Sequence, residues 1–413
     1  MNAFNNTSPM PIFDGIDQLT NSLDDARQAL TLHSGLGASA LSGAILEDLI
    51  HSFSFLMSYN GSTATFNSYR REIERLLQWT FYVRETSLSQ LGRQDMEDYI
   101  HFCQAPPKNW IGTRQLARFK KKSGTRVPNP QWRPFVVTNG KHVNEFELSQ
   151  KSLQALFAVL STYFNYLLQD GYLDLNPIAL VRQKSRFIQK HAYTAPIRRI
   201  SNLQWDYILE TVEELARQHP VEHERSLFVM RCLFGMYLRI SELVADERST
   251  PVMGDFQMDA DGHWWLRVVG KGNKARMVTV SDDMLEALKR YRAARNLSSL
   301  PPPGDNTPLI PRIKGRGPVT STRQIRYLVQ FCFDQAYQKM AGEGLSDDAQ
   351  ELKAATVHWL RHTGISEDVQ FRPKEHVKED AGHASMATTD RYINTAMRER
   401  HASARHKKLK PDY

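Results

Sequence analysis

The chain has 413 residues, 41% hydrophobic and 10% aromatic, a folded composition that at roughly 150 residues per domain gives two or three domains. It has no run of about 18 apolar residues, no basic and apolar leader, and only three scattered cysteines, Cys103, Cys232 and Cys332. This argues against membrane spans, disulfide frameworks and Cys-based zinc sites, and the expected location is the reducing cytoplasm. Lys and Arg number 53 against 45 Asp and Glu, a net charge of +8, which hints at nucleic acid only weakly.

The distribution of charge says more than its sum. Residues 1–50 hold six acidic residues and one basic one, Arg27. Residues 103–144 hold nine Lys or Arg and no acid, residues 181–200 hold six and none, and residues 396–413 hold six against two. One such run is usually a solvated surface; three, two of them flanking periodic helical segments, form a footprint for a polyanion.

In chain order, residues 1–45 read as an acidic, partly flexible extension. Phe66, Tyr69, Ile73, Leu76 and Leu77 predict a helix over 63–84, and a shorter one is expected over 94–102. Pro106-Pro107 then opens a long basic insertion, about 103–147, read as irregular, with Trp110 and Trp132 among its cations. A helix over 149–169 presents Leu153, Leu156, Phe157, Leu160, Phe164, Leu167 and Leu168 on one face, and Asn176-Pro177 ends the next short element. The basic stretch 181–200 reads as an interdomain linker. Beyond it, helices are expected over 202–217, 224–246, 282–295, 321–341, 351–367, 374–381 and 386–395. A β-hairpin over 264–269 and 275–280 turns at Gly270-Lys271-Gly272-Asn273-Lys274. The fold class is mainly α with a small β-sheet in the C-terminal domain.

No phosphate-binding glycine loop, dinucleotide fingerprint or HExxH motif occurs. His358 and His362 are four apart, as zinc ligands on a helix would be, but Trp359 stands where a zincin has Glu and no third ligand follows. Arg239, in "LRISEL", falls within an apolar helical stretch. A guanidinium there is either paired, with Glu242 or Glu247 in reach, or holds an anion. Lys271 at a hairpin tip is unremarkable alone, and with 14 His about one HxxR arises by chance. The order is what becomes specific: Arg239, Lys271, His358-Trp359-Leu360-Arg361-His362, Gly382-His383, and Tyr392 nine residues later.

This set, in "LRISEL", "GKGNKAR", "HWLRHTG" and "AGHASMATTDRYIN", resembles the tyrosine recombinase (phage integrase) family. Weaker resemblance covers residues 46–102 and 149–177, similar to that family's core-binding domain. The resemblance implies a two-domain DNA clamp: a helical core-binding domain over 46–180, the linker 181–200, a catalytic domain over 201–396 and a basic tail over 397–413. It also implies double-stranded DNA with specific recombination sites as substrate, a tetramer of this chain in the synaptic complex, exchange through a Holliday junction, and accessory DNA-bending or recombinase proteins, with no membrane and no cofactor or metal.

The implied roles fit the chemistry. Tyr392 is the nucleophile, a phenol whose phosphate ester forms reversibly. Arg239 and Arg361 grip the non-bridging oxygens as charge grows on them. Lys271, with Lys274 as alternative, protonates the leaving 5′-oxygen, His358 manages the nucleophile's proton, and His383 donates to the phosphate. Further DNA contacts are expected from Lys120, Lys121, Lys122, Arg126, Lys184, Arg186, Lys274 and Arg323, with Trp110 and Trp132 near phosphates or a minor groove. A DNA-binding protein with the same fold but no catalysis, and a type IB topoisomerase-like relaxase, are the competing readings.

Overall fold

The computed structural model describes residues 8–19, 43–137, 142–184, 198–270, 272–393 and 405. The chain divides into two compact units, Met1–Ala192 and Tyr193–Tyr413.

The first unit is helical: α1 (Gly43–Met57), α2 (Thr63–Trp79), α3 (Arg93–Gln104), α4 (Gln150–Gln169) and α5 (Pro177–Lys184). In α2 the predicted stripe is buried, with Phe66, Ile73, Leu76 and Leu77 all at 0% exposure. The helix then loosens into a π-helical turn over Thr80–Arg84 and stops at Glu85, whose φ of 53° is left-handed. Ser149 caps α4 by accepting the Ser152 amide. Sequence periodicity did not reveal α1, because Ile50, Phe55 and Met57 add apolar side chains around the Leu49, Phe53 and Leu56 stripe and blur it. Asp48 of α1 is buried, accepting from the Leu88 amide (2.9 Å) and the Tyr172 hydroxyl (2.6 Å). Burial raises its pKa to about 7 against these two bonds.

Two expectations fail in this unit. The insertion is ordered: β1 (Ile111–Gly112) pairs in parallel with β4 (Phe135–Val136), and β2 (Phe119–Lys122) forms a hairpin with β3 (Thr125–Pro128). Trp110 and Trp132 are 3% and 4% exposed, so neither is available to a DNA groove. Trp110 packs edge-on against Phe102, and Arg118 lies over the Trp132 ring at 4.4 Å. Residues 8–19, part of the extension read as partly flexible, are fastened to this unit. Ile12 and Phe13 are buried, their amides donate to Glu74, and Gln78 donates to the Met10 carbonyl at 2.7 Å.

The second unit comprises α6 (Asn202–Gln218), α7 (Pro220–Gly235), an antiparallel sheet in the order β5 (Phe256–Met258), β6 (Trp264–Val269), β7 (Ala275–Thr279), and then α8 (Asp282–Ala293), α9 (Thr322–Gly342), α10 (Ser346–Lys353), α11 (Val357–Asp368), α12 (Lys374–Ala381) and α13 (Met386–Ile393). Ser201 and Ser281 cap α6 and α8. One core joins these elements around Leu227, Leu233, Leu266, Leu288, Val329 and Leu360. The helix expected over 351–367 is two, α10 and α11, separated at 354–356. That expected over 224–246 ends at Gly235, because Tyr237 takes a left-handed φ of 51°. Arg239 therefore stands on a loop, capping a short 3-10 turn over Ile240–Glu242. A Cβ on Gly364 would lie 2.1 Å from the Phe234 carbonyl oxygen, so only glycine lets α11 approach the end of α7 this closely. Among the described residues no helix is long and apolar enough to cross a membrane.

Candidate active site

The site is built on Glu242, whose side chain is fully buried. Arg276 of β7 grips it with two parallel bonds, Nη1 to Oε1 at 2.8 Å and Nη2 to Oε2 at 2.9 Å. Arg239 adds its backbone amide (2.8 Å) and its Nη1 (3.0 Å). Burial alone would raise the Glu242 pKa, but the bonds from Arg276 and Arg239 outweigh it and hold the carboxyl below its ordinary value. Of the two open sequence readings of Arg239, pairing with Glu242 is thus realised, while its side chain stays 30% exposed.

The end of α12 supplies the second anchor. Arg276 Nε donates to the Asp380 carbonyl (2.8 Å), Arg361 Nη2 to that of Ala381 (2.6 Å) and Arg239 Nη2 to that of Gly382 (2.8 Å). Three consecutive carbonyls at a helix C-terminus, where orphan acceptors and the negative dipole end lie, thus hold three arginines. Gly382 makes the turn possible: its φ of +62° is left-handed, and a Cβ there would meet the Arg276 side chain at 3.0 Å. Arg361, on α11, is buried and also donates to the Tyr237 carbonyl. Burial, with Arg239 close by, lowers its pKa to about 10, so it stays charged at neutral pH. Arg239 and Arg276 share the one Glu242 carboxylate, and Arg361 beside them is held by backbone carbonyls, which leaves a positive surplus suited to an anion.

Tyr392, on α13, brings its hydroxyl to His362 Nδ1 at 2.7 Å. Its ring stacks on His383, with centroids 5.7 Å apart. His383 Nδ1 is 3.0 Å from the hydroxyl of Thr389, which is fully buried. Burial first, then Arg361, Arg239 and Arg276, lower the His383 pKa to about 4. The ring is therefore neutral at neutral pH and carries one N–H to donate. The residue in contact with the Tyr392 hydroxyl is therefore His362 and not the expected His358. His358 lies one turn earlier on α11, exposed, its ring centroid 6.4 Å from that of His362; its partial burial, with Arg326 and Arg361 nearby, lowers its pKa. Sequence reasoning weighed His362 only as a zinc ligand. Its i, i+4 relation to His358 and adjacency to Arg361 were the available signals.

Sequence reasoning also missed Arg276 and Thr389, although Arg276 lies inside the quoted "GKGNKAR". Arg239, Arg361, His383 and Tyr392 come together at one site, with His358 at its edge. Lys271 and Arg186 lie outside the described residues, as do the side chain of Lys184 and, apart from Arg405, residues 394–413. Residues 181–184 belong to α5, so the basic stretch begins inside a helix. Lys274 is exposed, its carbonyl closing the hairpin with the Gly270 amide at 2.9 Å. Lys120, Lys121 and Lys122 are exposed on β2. Arg126 is tied to Asp14, with Nη2 to Oδ1 at 2.7 Å, which removes it from the free cations. Arg323 is exposed and donates to the Tyr327 hydroxyl at 2.7 Å.

No protein-family model matches the chain. Among curated proteins it is 26% identical over 262 residues to the tyrosine recombinase XerC of Chlorobaculum parvum, covering 61% of this chain and 71% of that protein. It is 27% identical over 252 residues to XerC of Actinobacillus pleuropneumoniae, covering 61% and 70%. The fold matches that of the XerH site-specific recombinase bound to palindromic difH substrate in a post-cleavage complex, with a TM-score of 0.56 at 15% identity over 94% of this chain and 92% of that one. These similarities support the reading of the chain as a tyrosine recombinase. The fold is mainly helical with small sheets, as expected from the sequence.

Proposed function

We propose that this recombinase opens DNA by attack of the Tyr392 hydroxyl on a backbone phosphorus. The Tyr392 O–P bond forms and the P–O5′ bond breaks, leaving a 3′-phosphotyrosyl ester. The phenolic proton passes to His362 Nδ1, and a proton from Lys271, or from Lys274 as alternative, reaches the departing 5′-oxygen. Arg239 and Arg361 hold the non-bridging oxygens, His383 donates its N–H, and His358 meets the same phosphate from the exposed edge of the site. Each step reverses when a 5′-hydroxyl attacks the ester, so rejoining needs no external energy source.

The observation that carries this reading is the 2.7 Å contact between the Tyr392 hydroxyl and His362, in a site where Arg239 and Arg276 share a single carboxylate and Arg361 is held by backbone carbonyls. In the wider cycle, four protomers act on two DNA sites through a Holliday junction. The two units clamp the duplex, and accessory DNA-bending or recombinase proteins assist. The cycle serves integration, excision or resolution of a mobile element or replicon in the cytoplasm.

A nicked suicide duplex carrying the cognate site tests the chemistry. Wild-type protein should form a covalent adduct, Tyr392→Phe none, and His362→Gln a reduced yield with an altered pH profile. An adduct in the Tyr392→Phe variant overturns the nucleophile assignment. Relaxation of supercoiled plasmid with no preferred site would favour the topoisomerase-like reading, and site-bound protein without adduct the non-catalytic one.

A further inference from the structure

The insertion in the first unit ends in a hairpin whose two faces differ. In β2, alternate residues point to opposite sides. Phe119 and Lys121 share one face, and directly across from them on β3 lie Pro128 and Arg126. That face is turned to the body of the unit: Phe119 is 7% exposed, and Arg126 is bonded to Asp14 of the N-terminal segment. The opposite face carries Lys120 and Lys122, across from Val127 and Thr125. Among the described residues no carboxylate lies within ion-pair distance of any of the three lysines, and no Asp or Glu occurs anywhere in residues 103–144.

The hairpin is also stiff. Its two-residue turn is Ser123-Gly124, with φ of 50° and 85°, the left-handed pair whose twist matches that of the strands. Its base is closed by the Asn129 amide on the Arg118 carbonyl and the Asn129 Nδ2 on the Ala117 carbonyl, both at 2.7 Å. Arg118 is pinned between the Trp132 ring and Glu74. Lys121 and Arg126 are like charges directly opposed, which destabilises a ladder; Asp14 offsets this. The N-terminal segment thus neutralises the inner face, while the outer face keeps its charge without a partner.

From this we infer that the outer face of the hairpin, through Lys120 and Lys122, is a sequence-independent contact for the phosphates of duplex DNA, held in place by Asp14 and Arg126. Lys121 and Arg126 are not part of that contact. The inference rests on the reading of the chain as a DNA-acting recombinase and assigns it an affinity element separate from the reacting site. Rigid placement matters because a pre-ordered cation loses less freedom on binding than one on a mobile loop.

Salt dependence of binding to a long duplex of mixed sequence tests it, because each neutralised phosphate adds about 0.9 to the slope of log K against log salt. Lys120→Gln with Lys122→Gln should lower the slope by about 2, and Lys121→Gln by much less than 1. The charge-matched pair Lys289→Gln and Lys339→Gln, both in ion pairs on the second unit, should leave the slope unchanged. An unchanged slope in the Lys120/Lys122 variant overturns the inference, as does an equal loss in the control pair, which would reflect net charge alone. These lysines are exposed, so the variant should keep its melting temperature. It should also keep its adduct yield on a suicide duplex at saturating protein; failure of the wild type in that assay would count against the proposed chemistry and leave the slope comparison standing.

Discussion

Both units carry a cluster of partly or fully buried arginines, and the two use the same side chain in opposite ways. In the first unit, Arg70, Arg118 and Arg126 meet Asp14 and Glu74: Arg70 donates to the Asp14 carbonyl, Arg126 pairs with the Asp14 carboxylate and Arg118 with Glu74. Two carboxylates take one guanidinium each, a carbonyl takes the third, and the product is a fastened N-terminal segment. In the second unit, Arg239 and Arg276 share Glu242, and Arg239, Arg276 and Arg361 each donate to one of three consecutive backbone carbonyls. A carbonyl fixes a guanidinium without cancelling its charge. The first cluster is close to neutralised and structural; the second is oriented and left positive. The choice of acceptor, more than the number of arginines, separates a staple from an anion site.

The sharpest way to break this contrast is to remove one arginine from the positive cluster. Arg239→Ala, at a partly exposed position, should lower single-turnover adduct formation by about 100- to 1,000-fold with little change in melting temperature. A comparable loss from Arg118→Ala in folded protein would erase the distinction. Next in size is Glu74→Gln, which leaves the Arg118 charge buried without a carboxylate and should cost the first unit about 3–5 kcal/mol. Thermal denaturation measures it, and the adduct rate of the protein that remains folded should be unchanged.

The smallest expected effect is a pair of opposite pH slopes. Asp48 in the first unit has its pKa raised from 3.8 to about 7. Between those values the folded state binds more protons than the unfolded one, so stability falls as pH rises through the window. His383 in the second unit is lowered from 6.5 to about 4. There the unfolded state binds more protons, so stability falls as pH drops from 6.5 toward 4. Asp48→Asn should flatten the first dependence and His383→Gln the second, in denaturant titrations run across this range. An unchanged slope in either variant would show that its group does not carry that dependence.

Much of the candidate site could be read from the sequence because the proposed chemistry demands particular residue types in a particular order. Arg239 stood out in "LRISEL", Arg361 in the HxxR motif, and His383 and Tyr392 through their nine-residue step. The helices with a clean apolar stripe, such as α2 and α4, were equally visible. What failed depended on through-space partners. Trp110 and Trp132 sit among cations in the sequence yet are buried against Phe102 and Arg118. Arg126 looked like a DNA contact and is consumed by Asp14, 112 positions away. His358 and His362 are equivalent in a helical projection, and only the placement of α13 decides which one meets the tyrosine.

By itself, then, the sequence determined which functional groups exist, their order, and the helical stripes that bury a core. The tertiary structure decided which charges are cancelled and which stay available. The energy of a charge depends on its distance to partners and on its exposure to water, and residues as remote as Arg239, Arg276, Arg361 and Gly382 acquire those distances only when the chain folds.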